Sequence, residues 1–241
     1  MSASQASNKP DFTSAIKHAI RKHVKDNQII GLGSGSAMAC LVRELGRMTD
    51  KKNLKFIVTS LQIGIEAENA GLCILNAPPR SGRIDIVFDG ADQIDVNLFM
   101  IKGGGGALLR EKILLYSARK VIILADSSKF VSQFNRSVPI EASPFARSTV
   151  SRRLSRIGAK AVLRHSATGY PYFTDNGNII FDALFPSIQN PEFLEKELNC
   201  IPGIVEVGIF SRRANIYYEA SVRGPFRIIA FRRNSPHLLS A

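Results

Sequence analysis

The residues best suited to chemistry lie between Ile84 and Lys112, in IDIVFDGADQIDVNLFMIKGGGGALLREK. Asp89, Asp92 and Asp95 follow a short apolar run. A second apolar run ends in Lys102 and four consecutive glycines, and Glu111 stands just beyond them. Carboxylates beside an ammonium and a glycine-rich backbone suit proton transfer: a carboxylate takes a proton next to a carbonyl, and fixed polar groups hold the charge that develops on oxygen. A second candidate is the loop GSGSA, 33–37, between an apolar run and a helical pattern. Backbone N–H groups and hydroxyls at a helix start hold phosphate well. The glycines from Gly31 read G-x-G-x-G rather than the G-x-G-x-x-G of dinucleotide folds. The next strand ends in Thr59 and Ser60 rather than in an acidic residue for a ribose hydroxyl. With no G-x-x-x-x-G-K-[ST] either, a single phosphate monoester fits better than a dinucleotide or ATP.

Other chemistries find less support. His18, His23, His165 and His237 are scattered, and the first two are not at the i, i+4 spacing of a metal pair. The acidic cluster lacks the regular oxygen spacing of a calcium loop. Cys40, Cys73 and Cys200 are odd in number and far apart, which predicts reduced thiols rather than a disulfide frame or zinc site. No metal is expected.

The elements that must position these residues alternate. Helical spacing covers 12–25, with Asp11 as its N-cap. Strands are predicted at 28–32, 55–58, 72–75, 85–88, 98–101 and 121–124, and helices from the first loop to about Met48, over 62–70 and over 107–118. This alternation predicts a doubly wound, mostly parallel Rossmann-like sheet, with the ends of strands 85–88 and 98–101 at one edge of it. On a helix starting near Gly106, Glu111 falls in the second turn and shares a face with Leu108, Leu115 and Ala118. Beyond about Gln133 the texture turns antiparallel: VPIEA, AKAVLR, PYFT, NIIFDALF and GIVEVGIF read as strands, with helices over 145–157 and 191–199. The expected organisation is a catalytic domain over 1–132 to which 210–230 returns, a small α+β domain over 133–209, and a frayed or partner-bound tail over 231–241. The last strand is expected at 216–218, and the first ten residues as a disordered leader.

The chain has 241 residues, 45% apolar and 22% charged, as in ordinary globular proteins. No apolar run nears the ~20 residues of a membrane span, and the N-terminus has no apolar signal core. A cytoplasmic protein without membrane partners is expected. The net charge of +12 suits an anionic ligand or nucleic acid. The arginines of SRRLSR, 151–156, read as a solvated helix face, and no nucleic-acid motif accompanies them, so no nucleic-acid partner is expected.

At these residues the chain resembles the type A ribose-5-phosphate isomerases. The motifs are GLGSGSA (31–37), TSLQ (59–62), DGADQID (89–95), KGGGGALLREK (102–112), ADSSK (125–129), PIEASPFA (139–146), TDNGN (174–178) and IPGIVEVGIF (201–210). The resemblance implies metal-free and cofactor-free interconversion of ribose 5-phosphate and ribulose 5-phosphate through an enediolate, in the non-oxidative pentose phosphate pathway. It implies a homodimer or homotetramer and a ferredoxin-like second domain. It implies Glu111 as the base that moves a proton between C1 and C2, with Asp89, Asp92 and Lys102 supporting ring opening and the enediolate. Ser34, Gly35, Ser36, Ala37, Gly90, Ala91, Gly103, Gly104, Gly105 and Lys129 complete the substrate site, Lys129 and the first loop facing phosphate or sugar oxygens. Three departures stand out. Ala37 replaces a threonine, Gln93 replaces a glutamate and removes a charge beside the site, and a lysine usual early in the first helix is absent near Thr13 or Ser14. The alternative function is a sugar-phosphate sensor, which would need the phosphate loop but not Glu111 or Lys102.

Overall fold

The computed structural model describes residues 12–48, 52–221, 225–232 and 235–239. The N-cap expected at Asp11 and the leader before it lie outside these. Within them, α1 (Thr13–His23), β1 (Ile29–Leu32), α2 (Ser36–Gly46), β2 (Lys55–Val58) and α3 (Leu61–Asn69) open the chain. After β3 (Ile86–Asp89), β4 (Gln93–Ile94), β5 (Met100–Ile101), α4 (Leu108–Ser117) and β6 (Val121–Asp126) follow. Next are β7 (Val138–Ala142), α5 (Arg147–Arg156), β8 (Lys160–Leu163), β9 (Ile179–Leu184), α6 (Pro191–Asn199), β10 (Ile204–Val207) and β11 (Ile209–Phe210). The chain closes on β12 (Ile216–Ala220), β13 (Arg227–Arg232) and β14 (Ser235–Leu239).

The main sheet runs β14-β13-β12-β6-β3-β1-β2, parallel from β12 to β2 and antiparallel from β12 to β14. Its central parallel strands, β1, β3 and β6, are apolar on both faces, as sandwiched parallel strands must be. Ile30, Leu32, Phe56, Phe88 and Leu124 pack under α1, α2 and α3. Ile57, Val87, Val121 and Ile123 pack on the other side with Leu108, Leu114 and Leu115 of α4. The sheet is therefore doubly wound, as expected. A four-stranded antiparallel sheet, β10-β7-β9-β8, is covered by α5 and α6. Its element order, βαββαβ, is that of ferredoxin-like units. The exposed arginines of α5 lie opposite buried Val150 and Leu154, so SRRLSR is a helix face.

Several elements differ from the sequence reading. Residues 72–75 make only a bridge, Phe56 to Ile74, at the sheet edge. Residues 98–101 do not join the main sheet. Asp95 Oδ1 accepts from the N–H groups of Asn97 and Phe99, and Leu98 takes a φ of 64°. That tight turn folds β4 back on β5 as a hairpin, within a separate sheet ordered β11-β5-β4. PYFT makes isolated bridges only. GIVEVGIF breaks into β10 and β11 at Gly208, whose N–H donates to Pro139 O and whose carbonyl accepts from Lys102 N. A β-carbon there would lie 2.4 Å from Lys102 O, so only glycine lets these strands meet. Finally, β12 is not the last strand: β13 and β14 extend the main sheet through the segment expected to be a tail.

Candidate active site

Strand β3 carries Asp89 to the carboxyl end of the main sheet, where α2 also begins. Gly33 passes so close that a β-carbon on it would lie 1.8 Å from Asp89 Oδ1. Asp89 is fully buried, its Oδ1 accepting from the Gly90 N–H at 2.7 Å. Lys102 enters from β5 on the neighbouring small sheet. Its Nζ lies 3.0 Å from Asp89 Oδ2, 3.1 Å from Glu111 Oε2 and 2.7 Å from Gly90 O. Among the described residues, the ammonium is the partner of the two carboxylate oxygens facing it. Glu111 is 2% exposed and sits in the first turn of α4, not the second, because the helix starts at Leu108. The buried face expected for it is present in Leu108 and Leu115. Its Oε1 accepts from Ser34 Oγ at 2.6 Å. Asp92 Oδ2 accepts from the Gly104 N–H at 2.7 Å.

Ser34, Asp92, Lys102 and Glu111 line a cavity of about 230 Å³, with Asp89 buried behind Lys102 and outside that lining. One wall is the loop Ser34, Gly35, Ser36 and Ala37 at the start of α2, whose first N–H groups have no intrahelical acceptor. The opposite wall is Gly103, Gly104 and Gly105, and the floor is Lys102 and Glu111 with Gly90, Ala91 and Asp92 beside them. Lys129 completes the rim from a short turn after β6, which Asp126 caps by accepting from the Ser128 N–H. Thus two loops and two glycine-lined turns, far apart in sequence, meet around one space.

Burial pushes the Asp89 carboxyl up and the Glu111 charge pushes it further, to about 7, with Lys102 opposing. Burial works against the Lys102 ammonium, but Asp89 and Glu111 outweigh it and hold it above its ordinary value. Asp89 can therefore hold a proton near neutrality while the cation beside it stays charged.

Two expected members stand elsewhere. Asp95 spends its carboxylate on the hairpin turn and leaves the cluster. Gln93 turns away from the cavity: its Oε1 accepts from the N–H groups of Asn135 and Arg136. The replacement there removes no charge from the cavity wall. Phe12, Leu124, Ala125 and Asp126 line the cavity without having been singled out. For Asp126 the signal was its place at a strand end beside Lys129; for the apolar three there was none. His18 Nδ1 and His23 Nε2 lie 3.0 and 3.1 Å from the buried Tyr218 hydroxyl. Among the described residues, no three His, Cys, Asp or Glu side chains are grouped to hold a metal ion, and no helix is long and apolar enough to cross a membrane.

The family profile described as ribose 5-phosphate isomerase A (phosphoriboisomerase A) matches residues 55–224. Ribose-5-phosphate isomerase A of Methanosarcina acetivorans is 41% identical over 197 residues, 80% of this chain and 84% of that one. The Pyrococcus furiosus protein of the same name is 38% identical over 227 residues, covering 92% and 99%. A structure of D-ribose-5-phosphate isomerase in complex with phospho-erythronic acid matches 90% of this chain and 96% of its own at 37% identity, with a TM-score of 0.83. The Plasmodium falciparum ribose 5-phosphate isomerase gives 0.84 at 29% identity, covering 90% and 97%. The chain belongs to the ribose-5-phosphate isomerase A family.

Proposed function

We propose that this protein interconverts D-ribose 5-phosphate and D-ribulose 5-phosphate by proton transfer through an enediolate. The observation that carries the reading is the buried Lys102 ammonium held between the carboxylates of Asp89 and Glu111 at the floor of the cavity. Asp89, protonated near neutrality, gives its proton to the ring oxygen as the bond from that oxygen to C1 breaks, while the C1 hydroxyl forms the carbonyl and releases its own proton to water. In the open aldose, Glu111 takes the proton from C2. The C2 electrons form the C1–C2 double bond, and Lys102 holds the charge displaced onto O1. The O2 proton passes to O1, Glu111 returns its proton to C1, and the carbonyl now stands at C2. Asp92 and the glycine run contact the sugar hydroxyls, and the start of α2 and Lys129 hold the phosphate. The direct test is formation of ribulose 5-phosphate from ribose 5-phosphate by the purified protein. Binding of the aldose phosphate without ketose formation would overturn the enzyme reading.

Two further results follow from the geometry. The phosphate should dominate recognition, so free ribose should bind at least about a hundredfold more weakly than ribose 5-phosphate by calorimetry. Lys129→Ala should raise KM by about tenfold and change kcat by less than about threefold. A Lys129→Ala protein with unchanged KM would remove that lysine from the phosphate site.

The second result concerns pH. If the proton on Asp89 is needed for ring opening, kcat/KM should fall on the alkaline side of an ionisation near 7. That lies above the value of about 6 for a phosphate monoester. Asp89→Asn cannot titrate, so its residual activity should lose this bend. A bend that persists unchanged in Asp89→Asn would assign the ionisation to another group.

A further inference from the structure

The glycine run that walls the cavity is shaped from outside. Four glycines in succession have no side chains to fix their peptide planes, and such a stretch visits many backbone conformations. Within the run Gly103 O accepts from the Gly106 N–H at 3.0 Å, closing a turn, and three of its carbonyls, Gly103 O included, are also held by residues of the four-stranded unit. Arg164, just after β8, donates from Nη1 to Gly103 O at 3.0 Å and to Gly104 O at 3.1 Å. Tyr172 donates its hydroxyl to Gly105 O at 3.2 Å. The rest of the Arg164 fork is locked on Asp182, Nε to Oδ2 at 2.8 Å and Nη2 to Oδ1 at 2.5 Å.

A trans peptide points its carbonyl and its N–H to opposite sides. The peptide whose carbonyl is Gly103 O carries the Gly104 N–H, and that N–H reaches Asp92 on the cavity wall. Arg164 and Asp92 thus hold one peptide from its two sides. The next peptide is held at its carbonyl, Gly104 O, by the same guanidinium. Its N–H, that of Gly105, faces away from Arg164 and has no protein acceptor among the described residues. Gly105 lines the cavity, and a β-carbon on it would lie 3.4 Å from Ser34 Oγ, the hydroxyl bonded to Glu111.

We infer that Arg164 is a positioning residue for the isomerisation: by holding two glycine carbonyls outward it aims the Gly105 N–H at the substrate oxygen that gains charge. A lysine could not do this, because its one nitrogen could take the place of Nη1 at the carbonyls but could not also be fixed there by a two-nitrogen fork on Asp182. This inference rests on the isomerase reading for its chemical consequence, but not for its structural one.

The test uses Arg164→Ala, Arg164→Lys and Asp182→Asn in the full chain. It measures kcat, KM for ribose 5-phosphate and amide hydrogen exchange of Gly104 by NMR. For Arg164→Ala, kcat should fall about a hundredfold with KM within about threefold, since a misaimed donor is lost mainly in the transition state. Exchange at Gly104 should rise about tenfold, because its bond to Asp92 depends on the same peptide plane. Arg164→Lys should recover less than about a tenth of the lost turnover. Guanidinium ion added to Arg164→Ala should restore part of it. Turnover of Arg164→Ala within about threefold of the parent, or Gly104 exchange unchanged, would overturn the inference, as would full rescue by lysine. If Arg164→Ala does not fold, Asp182→Asn, which frees the guanidinium in place, is judged by the same kcat, KM and exchange criteria. If the parent itself forms no ketose, the isomerase reading fails separately, and Gly104 exchange alone decides whether Arg164 sets these peptides.

Discussion

Glu111→Gln should give a folded protein that still binds ribose 5-phosphate but turns it over ~10²–10⁴ times more slowly, the usual worth of a positioned acid–base group. Folding should survive because glutamine matches glutamate in shape and its amide can serve both neighbours. Turned with its oxygen to Lys102 Nζ, it leaves Nε2 to donate to Ser34 Oγ, replacing contacts now at 3.1 and 2.6 Å. Binding should hold within about threefold, since the phosphate loop and Lys129 lie at the rim and Glu111 at the floor. Turnover should not survive, because an amide cannot accept the C2 proton. The alternative role for a glutamate in the first turn of a helix is to favour the helix dipole, worth only ~0.3–1 kcal/mol. That role asks for no burial, and Glu111 is 2% exposed, bonded to a hydroxyl and an ammonium. The isotopic readout separates the two roles: the parent should exchange the C2 proton of the aldose with deuterium from solvent, and Glu111→Gln should not. A folded Glu111→Gln protein with turnover within about threefold of the parent would remove Glu111 as the base.

Much of this arrangement was legible in the sequence because it lies in short runs with strong local signals. The strand at 55–58 and the helix at 191–199 form at the residues that their pattern names. In the helix, Asn190 caps Phe193 N–H and Pro191 occupies the first turn, both local preferences. The loop at 33–37 was readable as a helix start for the same reason: glycines and hydroxyls before a helical pattern fix what the backbone presents. What escaped was decided by partners far along the chain. GIVEVGIF looks like one strand, and nothing local says that Gly208 must fit between Pro139 and Lys102. Asp92 and Asp95 have the same residue type and similar flanks, yet one reaches Gly104 across the cavity and the other closes its own turn. The spacing of acids could not tell them apart.

Arg164 is the clearest such case. Its acceptors are glycine carbonyls about sixty residues away, and a carbonyl acceptor leaves no mark in residue type. The same holds for TDNGN. Thr174, Asn176 and Asn178 all donate to Glu141 Oε1, and Asp175 accepts from the Leu61 N–H at the start of α3. Arg110, next to Glu111, reaches Asn176 Oδ1 and Asp175 O in the same loop. Lys112, on the other side of Glu111, is buried against Glu195 and Glu206. The helix that carries Glu111 is thus tied on both sides to the four-stranded unit, which explains how motifs with no chemistry of their own hold a site together.

Lys102→Met should cost turnover ~10²–10³, as removing a preorganised charge from an oxyanion site does. The side chains are similar in length and the methionine has no need of water, so the fold should persist. What is lost is the cation between Asp89 and Glu111, two carboxyls buried to 0% and 2% exposure. Buried like charges without a partner are strongly unfavourable, and the pair answers by keeping a proton. Asp89 already stands at about 7 with Lys102 opposing the rise from 3.8, so without Lys102 it should stand higher still. The sign for stability follows. A carboxyl whose folded pKa lies above its unfolded one favours the folded state below the unfolded value and loses that advantage as pH rises to the folded value. In the parent the loss runs from about 4 to about 7; in Lys102→Met it should continue beyond 7. The difference in melting temperature between parent and variant should therefore widen between about pH 6 and pH 9. The same shift keeps the ring-opening proton on Asp89 to higher pH, so the residual turnover should hold its level past the pH at which the parent's falls. A gap in melting temperature that does not change with pH, with turnover within about threefold, would mean that Lys102 neither balances the carboxyl pair nor holds the enediolate charge.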